Sequence, residues 1–458
     1  MASLRPFLAR LAAAALICAA AMSAADAKPR HGKAHHHNHY KSPGVLNISG
    51  AQLEPLAFGQ LDGWAEDDHL AAFAPFLASC RPIVRGARTR KGDSRLMYRA
   101  LAPICSEAID HPPKDAAAAR KFFEEHFRLV RINKLGEREG LITGYYEPIV
   151  EGALHPSSVY HVPLYKRPPD LFAVGAKPGT FPNKGGVARK NDEGEVVPYW
   201  ERTEIENGVL DGKQLEIAWL KDPVDLFFAQ IQGSLRVDLK EGGTLRLNYD
   251  AHNGHPYTPV GRVMIERKQV AREHMSMDRI REFMQADPDA GRELRRHNKS
   301  FVFFRATGLK DDQEAIGAQG IPLTARRSIA VDRHLHVYGT PFWIEAELPI
   351  ATEKSDTKFR QLMIAQDTGS AIIGPARADF YYGAGDEAAK VAGRLKNPGR
   401  FVMLVPTAID PVAAAREVPL PRPRPSVKEF IAYNAPDAKP AAEPAKPKAR
   451  SRGKRHDG

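Results

Sequence analysis

The sequence predicts a mainly β protein with α decorations, and a small closed barrel in its second half. Three observations carry that reading. From Leu141 onward, short β-branched or aromatic runs recur, cut by Gly and Pro about every ten residues. Upstream of that point, apolar residues fall at three- and four-residue spacing instead. The long apolar stretch of the chain sits at its extreme N-terminus, which excludes a polytopic membrane protein. Composition agrees. A length of 458 residues at 43% hydrophobic content allows roughly two or three domains, and 3 cysteines exclude a disulfide-stapled miniature fold.

Residues 1–27 read as a secretory signal. Arg5 and Arg10 give a basic start, and residues 11–22 form an apolar stretch too short to span a bilayer. Ala25-Asp26-Ala27 is a small-residue site that predicts cleavage before Lys28; an uncleaved N-terminal anchor is the alternative. Cys18 follows Leu16 and Ile17, where lipid attachment normally wants small residues, so it reads as part of the discarded signal. The expected protein is exported, soluble and periplasmic, with no lipoprotein anchor.

Residues 28–45 form a basic arm carrying His31, His35, His36, His37 and His39. Such a tract can hold a transition metal, but without fixed geometry it reads first as a solvated arm. At the other end, residues 411–458 contain 9 Pro and 11 Lys/Arg with few large apolar side chains, a composition expected to stay disordered. Both ends are strongly basic, so the formal charge of +11 belongs to them and the body is close to neutral. That removes the case for a nucleic-acid groove. It leaves the tails suited to weak, salt-screened association with an anionic wall or membrane surface.

Cys80 and Cys105 remain after export, an even pair in an oxidising compartment. A disulfide is expected, closing a loop worth about 3 kcal/mol, with two buried thiols as the alternative. Along the body, residues 46–135 read helical, with amphipathic runs at 64–79 and 115–130, the second capped by Asp115. Gly136, Gly140 and Gly144 mark a break. Candidate strands follow at 159–165, 214–219 and 244–249, while 224–231 fits helix or strand and 260–286 reads as a helical insert. Strands resume at 301–305, 328–331, 341–344, 362–366, 378–381 and 400–405. Such close spacing with Gly-rich turns predicts the barrel.

Nucleotide, dinucleotide, zincin and serine-hydrolase signatures are absent from the sequence. The sharpest local string is Gln366-Asp367-Thr368-Gly369-Ser370. It resembles an aspartic-protease motif, but that chemistry needs two such strings and the chain has one. Asp367 has company in Arg377-Ala378-Asp379-Phe380-Tyr381-Tyr382-Gly383 and in Ser328-Ile329-Ala330-Val331-Asp332. Three carboxylates in one region would raise one another's pKa and supply a proton donor. Taken singly, each Asp fits a turn cap.

At this point several separated motifs resemble one family. Ile321-Pro322-Leu323-Thr324-Ala325-Arg326-Arg327-Ser328, Tyr338-Gly339-Thr340-Pro341 and the two aspartate strings look like its three-aspartate domain. Thr143-Gly144-Tyr145-Tyr146-Glu147-Pro148, Ala229-Gln230-Ile231-Gln232-Gly233-Ser234 and Asn253-Gly254-His255-Pro256-Tyr257 are similar to the remaining signature of lytic murein transglycosylase A. The resemblance runs from about residue 55 to 406 and implies a double-psi β-barrel domain, assembled from 46–148 and 301–408. A second β-barrel-like domain at 149–300 would be inserted into it, with a glycan groove between them and the tail beginning at 409. It implies cleavage of the β-1,4 bond between N-acetylmuramic acid and N-acetylglucosamine, with formation of a 1,6-anhydro ring and no metal or organic cofactor. The better-known family members are lipid-anchored, and this chain departs from them in lacking a suitable lipid-attachment site.

In the family pattern the catalytic acid matches Asp379, with Asp367 its neighbour and Asp332 third. Tyr145, Tyr146, Glu147, Gln230, Gln232, Ser234 and Tyr257 would line the groove. Glu147 is a second candidate for the acid. Peptidoglycan strands are the expected partner, met by a monomer. An inverting hydrolase using Asp379 and Asp367, and a non-catalytic wall-binding module, are the competing readings.

Overall fold

Chain entry into the fold is by a strand that the helical reading of 46–135 passes over. In the computed structural model, which describes residues 46–89, 93–174, 186–354 and 356–411, β1 (Ala51–Leu56) pairs antiparallel along its whole length with a later strand. The expected leader, His-rich arm and basic tail lie outside the described residues. Three helices follow: α1 (His69–Arg88), α2 (Leu96–Asp110) and α3 (Ala116–His126). Asp68 and Asp115 cap α1 and α3 by accepting from the Ala71 and Ala118 amides at 2.9 and 2.8 Å. Cys80 of α1 and Cys105 of α2, both fully buried, are joined by a disulfide. The run expected to stay helical to Val130 stops at His126. Phe127, Val130 and Ile132 belong instead to β2 (Phe127–Lys134), where sheet pairing buries them more completely than a surface helix could.

β3 (Gly140–Glu147) leads straight, through Pro148 alone, into a second sheet. That sheet uses β4 (Ile149–Ala153) and β5 (Val162–Tyr165); a small side sheet contains β6 (Phe172–Ala173), β7 (Val187–Lys190) and β8 (Val196–Pro198). Then come α4 (Arg202–Glu206), β9 (Glu216–Leu220), α5 (Pro223–Gln232), β10 (Ser234–Leu239) and β11 (Thr244–His252). The ambiguous run at 224–231 is thus helix. Asp222 accepts from the Val224 amide, Pro223 opens the first turn, and Gly233 closes the last at φ +85°, a left-handed conformation that favours glycine. The helical insert is divided into α6 (Val260–Glu266) and α7 (Met277–Ala286), followed by α8 (Pro288–Arg296).

β12 (Val302–Ala306) corrects the expected domain boundary. It pairs with β11 and buries Phe303 and Phe304 in the second sheet's own core, so the return to the first domain comes after Ala306 rather than at 301. The second sheet has the order β12-β11-β10-β4-β9-β5, and a parallel bridge between Lys166 and Phe304 brings its two ends together. It is barrel-like in consequence.

The remaining elements are β13 (Ser328–Val331), β14 (Pro341–Leu348), β15 (Thr357–Asp367), β16 (Arg377–Ala384), α9 (Gly385–Arg394) and β17 (Lys396–Pro406). The order β17-β14-β15-β13-β16-β3 closes on itself because β3 also pairs with β17, giving a six-stranded barrel with β1 and β2 appended. Two of its pairings, β13–β15 and β16–β3, are parallel. The mainly β fold with helical decorations and a closed barrel is therefore the one expected. The closure is tight at Gly140, where any side chain would strike the Ala376 carbonyl and the Phe401 ring. The largest apolar cluster lies between this barrel and α1–α3.

Candidate active site

Strand register places the site. Ala330 of β13 stands opposite Asp367 of β15 on one side and Asp379 of β16 on the other; Asp379 stands opposite Thr143 of β3, and Thr143 opposite Lys396 of β17. Neighbouring strands are about 4.8 Å apart, so the two aspartate backbones are about 10 Å apart with only a methyl side chain between them. Asp367 and Asp379, nominated from sequence, are brought together.

Their surroundings differ. The Asp367 carboxyl is tied at both oxygens: the Tyr145 hydroxyl donates to Oδ2 at 2.8 Å, and the Ala318 and Thr368 amides donate to Oδ1 at 2.8 Å. Burial nevertheless pushes its pKa up to about 6, with Asp379 adding to the rise and those three donors opposing it. At Asp379 only Oδ1 is held, by the Thr143 hydroxyl, and among the described residues no donor reaches Oδ2. Its pKa is also raised, chiefly by burial, while the Arg377 guanidinium and Thr143 pull it down. Desolvation, more than repulsion among three carboxylates, is what raises both.

Arg377 and Thr143, which the sequence reading left unassigned, stand beside Asp379 in a hydrogen-bonded chain. Arg377 donates through Nη2 to the Thr143 hydroxyl at 2.8 Å, and Thr143 donates onward to Asp379. Strand alternation could have found both: Arg377 is two residues before Asp379 on β16, and Thr143 two before Tyr145 on β3.

Asp332 is placed elsewhere. Its oxygens accept from the His334 amide at 3.0 Å and the Gly374 amide at 2.9 Å, bracing the turn after β13 against the segment leading to β16. The trio is a facing pair and a brace. The predicted groove residues also divide. Tyr257 is half-buried, and its hydroxyl is pushed up to about 12 by burial and then by the charge of Asp379. Tyr145 holds Asp367 and packs at a tilt against Tyr381, ring centres 5.2 Å apart; the Tyr381 hydroxyl donates to Glu314.

Tyr146 and Ser234 are buried. Gln232 accepts from the Tyr146 amide at 3.1 Å, stitching α5 to β3. Gln230 donates to the Val302 carbonyl at 3.1 Å, and its buried Oε1 has no partner among the described residues. Glu147 does not line an open groove. It is 1% exposed and accepts from Arg236 at 2.7 Å and Arg246 at 3.0 Å, because the chain crosses between the two sheets at this residue. Among the described residues no group of three or more His, Cys, Asp or Glu side chains could hold a metal.

Comparison with known proteins adds to this geometry. Residues 141–305 match the family described as the MltA specific insert domain, and residues 327–405 match the 3D domain. The chain is 34% identical over 272 residues to the membrane-bound lytic murein transglycosylase A of Vibrio cholerae, covering 58% of this chain and 66% of that protein. It is 32% identical over 265 residues to the Escherichia coli K12 protein of the same name, covering 57% and 64%. The matched stretch thus spans just under two thirds of these curated relatives.

Among solved structures, the membrane-bound lytic murein transglycosylase from Agrobacterium tumefaciens superposes with a TM-score of 0.68 at 32% identity, covering 80% of this chain and 99% of that one. MltA from Neisseria gonorrhoeae gives 0.65 at 28% identity, covering 80% and 95%. E. coli MltA with bound chitohexaose gives 0.54 at 26% identity, covering 79% and 93%.

Proposed function

The chain belongs to the membrane-bound lytic murein transglycosylase A family, and on that footing we propose that it cleaves peptidoglycan strands without water. The bond cut is the β-1,4 linkage between N-acetylmuramic acid and N-acetylglucosamine, and the product carries a 1,6-anhydro ring on the muramic acid. The observation that carries the assignment of roles is the contrast between the two carboxyls. Asp379 has a raised pKa and, among the described residues, one oxygen with no donor, whereas both oxygens of Asp367 are occupied.

Asp379 donates its proton to the glycosidic oxygen as the C1–O bond breaks and C1 gains oxocarbenium character. The bonding pair leaves with that oxygen, and Asp379 becomes a carboxylate. It then accepts the proton of the C6 hydroxyl as that oxygen closes on C1, which restores the acid. Thr143, itself held by Arg377, occupies Oδ1, so proton traffic runs through Oδ2. Asp367 supplies fixed negative charge near the developing cation. Chitohexaose bound to a relative supports a glycan in this groove. The family does not itself decide against a hydrolase, which would need Asp367 to draw a proton from water. Its three donors argue against that role.

Exported, periplasmic action is part of the proposal. Among the described residues no helix is long and apolar enough to cross a membrane.

Mass spectrometry of fragments released from purified peptidoglycan tests the reading, with Asp379→Asn alongside. Products lighter than the hydrolytic ones by one water are expected, with a rate about 10²–10⁴-fold lower in the variant. The rate should fall as pH rises through the raised pKa of Asp379, because the first step needs the protonated acid. Water-containing products would move the enzyme to the hydrolases. An unimpaired variant would remove Asp379 from the role.

A further inference from the structure

A cleft of about 710 Å³ opens beside the site, between α5, α6 and α7 of the inserted domain and the start of β17. Two features tie it to the chemistry. Tyr257, whose hydroxyl is under the charge of Asp379, forms part of its wall. Lys396, another wall residue, is in register with Thr143, which bonds Asp379, so its backbone is about 10 Å from that of the acid across two strand spacings.

Beyond Tyr257, the lining offers a sugar few uncharged hydrogen-bonding groups. Its floor is apolar, with Phe228, Ile231, Met275 and Ile280 among its residues, and its wall contains no Asn, Gln, Ser or Thr to meet hydroxyl or acetamido groups. The charged wall residues are Arg262, Arg272 and Lys396 against a single acid, Glu266. All three cations are exposed, and among the described residues none of their side chains has a hydrogen bond or ion pair. An apolar floor under unpaired cations fits a ligand with short alkyl groups and carboxylates.

We propose that this cleft binds the acidic stem peptide carried on the lactyl group of muramic acid, making the enzyme selective for peptide-bearing over naked glycan. The inference rests on the transglycosylase reading for the identity of the substrate. A peptide leaving the muramic acid at the scissile bond would enter beside Tyr257, lay its alanine side chains on the floor, and set its carboxylates against Arg262, Arg272 and Lys396.

The test uses the full chain carrying Asp379→Asn, so that ligands survive, and calorimetry with two probes: a muramyl tripeptide disaccharide and the same disaccharide without peptide. The peptide-bearing probe should bind at least about tenfold more tightly. Arg262→Ala with Arg272→Ala should remove that difference while leaving affinity for the peptide-free probe unchanged. The corresponding double Lys variant should retain most of it.

Equal affinity for both probes, or an undiminished preference in the double Ala variant, would overturn the proposal. A parallel product assay with active enzyme separates the two readings. Failure to form anhydro products from either strand defeats the transglycosylase reading, while the two calorimetric affinities still decide whether the cleft takes the peptide. Anhydro products formed equally well from peptide-bearing and naked strands defeat the cleft alone.

Discussion

The Asp367 carboxyl accepts from Tyr145, Ala318 and Thr368 and is still raised from 3.8 to about 6 by burial, so an ionised Asp367 destabilises the fold at neutral pH. A carboxyl raised on folding adds stability that is complete below the unfolded value of 3.8 and is lost as pH rises through about 6. Two pKa units correspond to about 3 kcal/mol, an upper figure here. Asp367→Asn, which can keep accepting from the Ala318 and Thr368 amides, should therefore be about 1–3 kcal/mol more stable than the native chain above pH 7, with the gain vanishing below pH 4. Urea unfolding at both pH values measures it, and an unstabilised variant at high pH would mean that the charge is better solvated than its burial implies. Sequence alone singled out Asp367 and Asp379 because each terminates or interrupts an aromatic or β-branched strand where a charge serves no packing purpose. It could not separate them from Asp332, since a carboxylate that braces a turn and one that faces a substrate have the same local pattern.

Helix α1 packs on β15 and is also hydrogen-bonded to it through the side chain next to that carboxyl. The buried Gln366 amide donates to the Pro75 carbonyl and the Ser79 hydroxyl, both at 2.9 Å, and its Oε1 accepts from Ser328. Ser79, Ser328 and Gln366 are fully buried, so the Ser328 hydroxyl proton and the Pro75 carbonyl lone pair facing the amide depend on Gln366 for a partner, while Ser328 also accepts from the Thr324 amide. Gln366→Leu keeps the volume but orphans these groups, and an orphaned buried group costs about 1–3 kcal/mol. A loss of about 2–4 kcal/mol in denaturant unfolding is expected, with a fall in kcat larger than any change in KM, because Asp367 is the adjoining residue. A variant with an unchanged denaturation midpoint would show that α1 does not latch the strand. The barrel strands were legible because residues buried on both faces leave near-continuous apolar runs, as in Leu362 to Ala365 and Phe401 to Val405. β1 was not, since its exposed face carries Gln52 and Glu54 and its role is only to cover an edge. The change from α3 to β2 was hidden for another reason: Phe122, Phe123 and Phe127 keep helical spacing, and only pairing with β17 decides that the last begins a strand.

The two β bodies are joined where the chain crosses between them, and one buried cluster ties both crossings. Glu147 marks the outward crossing. Arg236 of β10 and Arg246 of β11 converge on it, and the same guanidiniums donate to the Asp311, Gln313 and Lys310 carbonyls on the return. Nothing local in the sequence announces this, because the partners are 89 and 99 residues from Glu147, and its place beside Tyr145 and Tyr146 made it read as a groove residue. The architecture gives it a different consequence from that of a catalytic acid. Glu147→Gln strips the buried Arg246 of its counter-charge and leaves Arg236 only Glu314 at 3.7 Å, and breaking a buried pair in this way costs about 3–5 kcal/mol. Stability should fall by that order, and KM should rise as the groove between the bodies loosens, while the products released remain of the anhydro type. A Glu147 that acted as the proton donor would behave in the opposite way: near-native stability with no product at all. Unfolding and product analysis on the one variant therefore decide whether this carboxylate holds the groove together or works inside it.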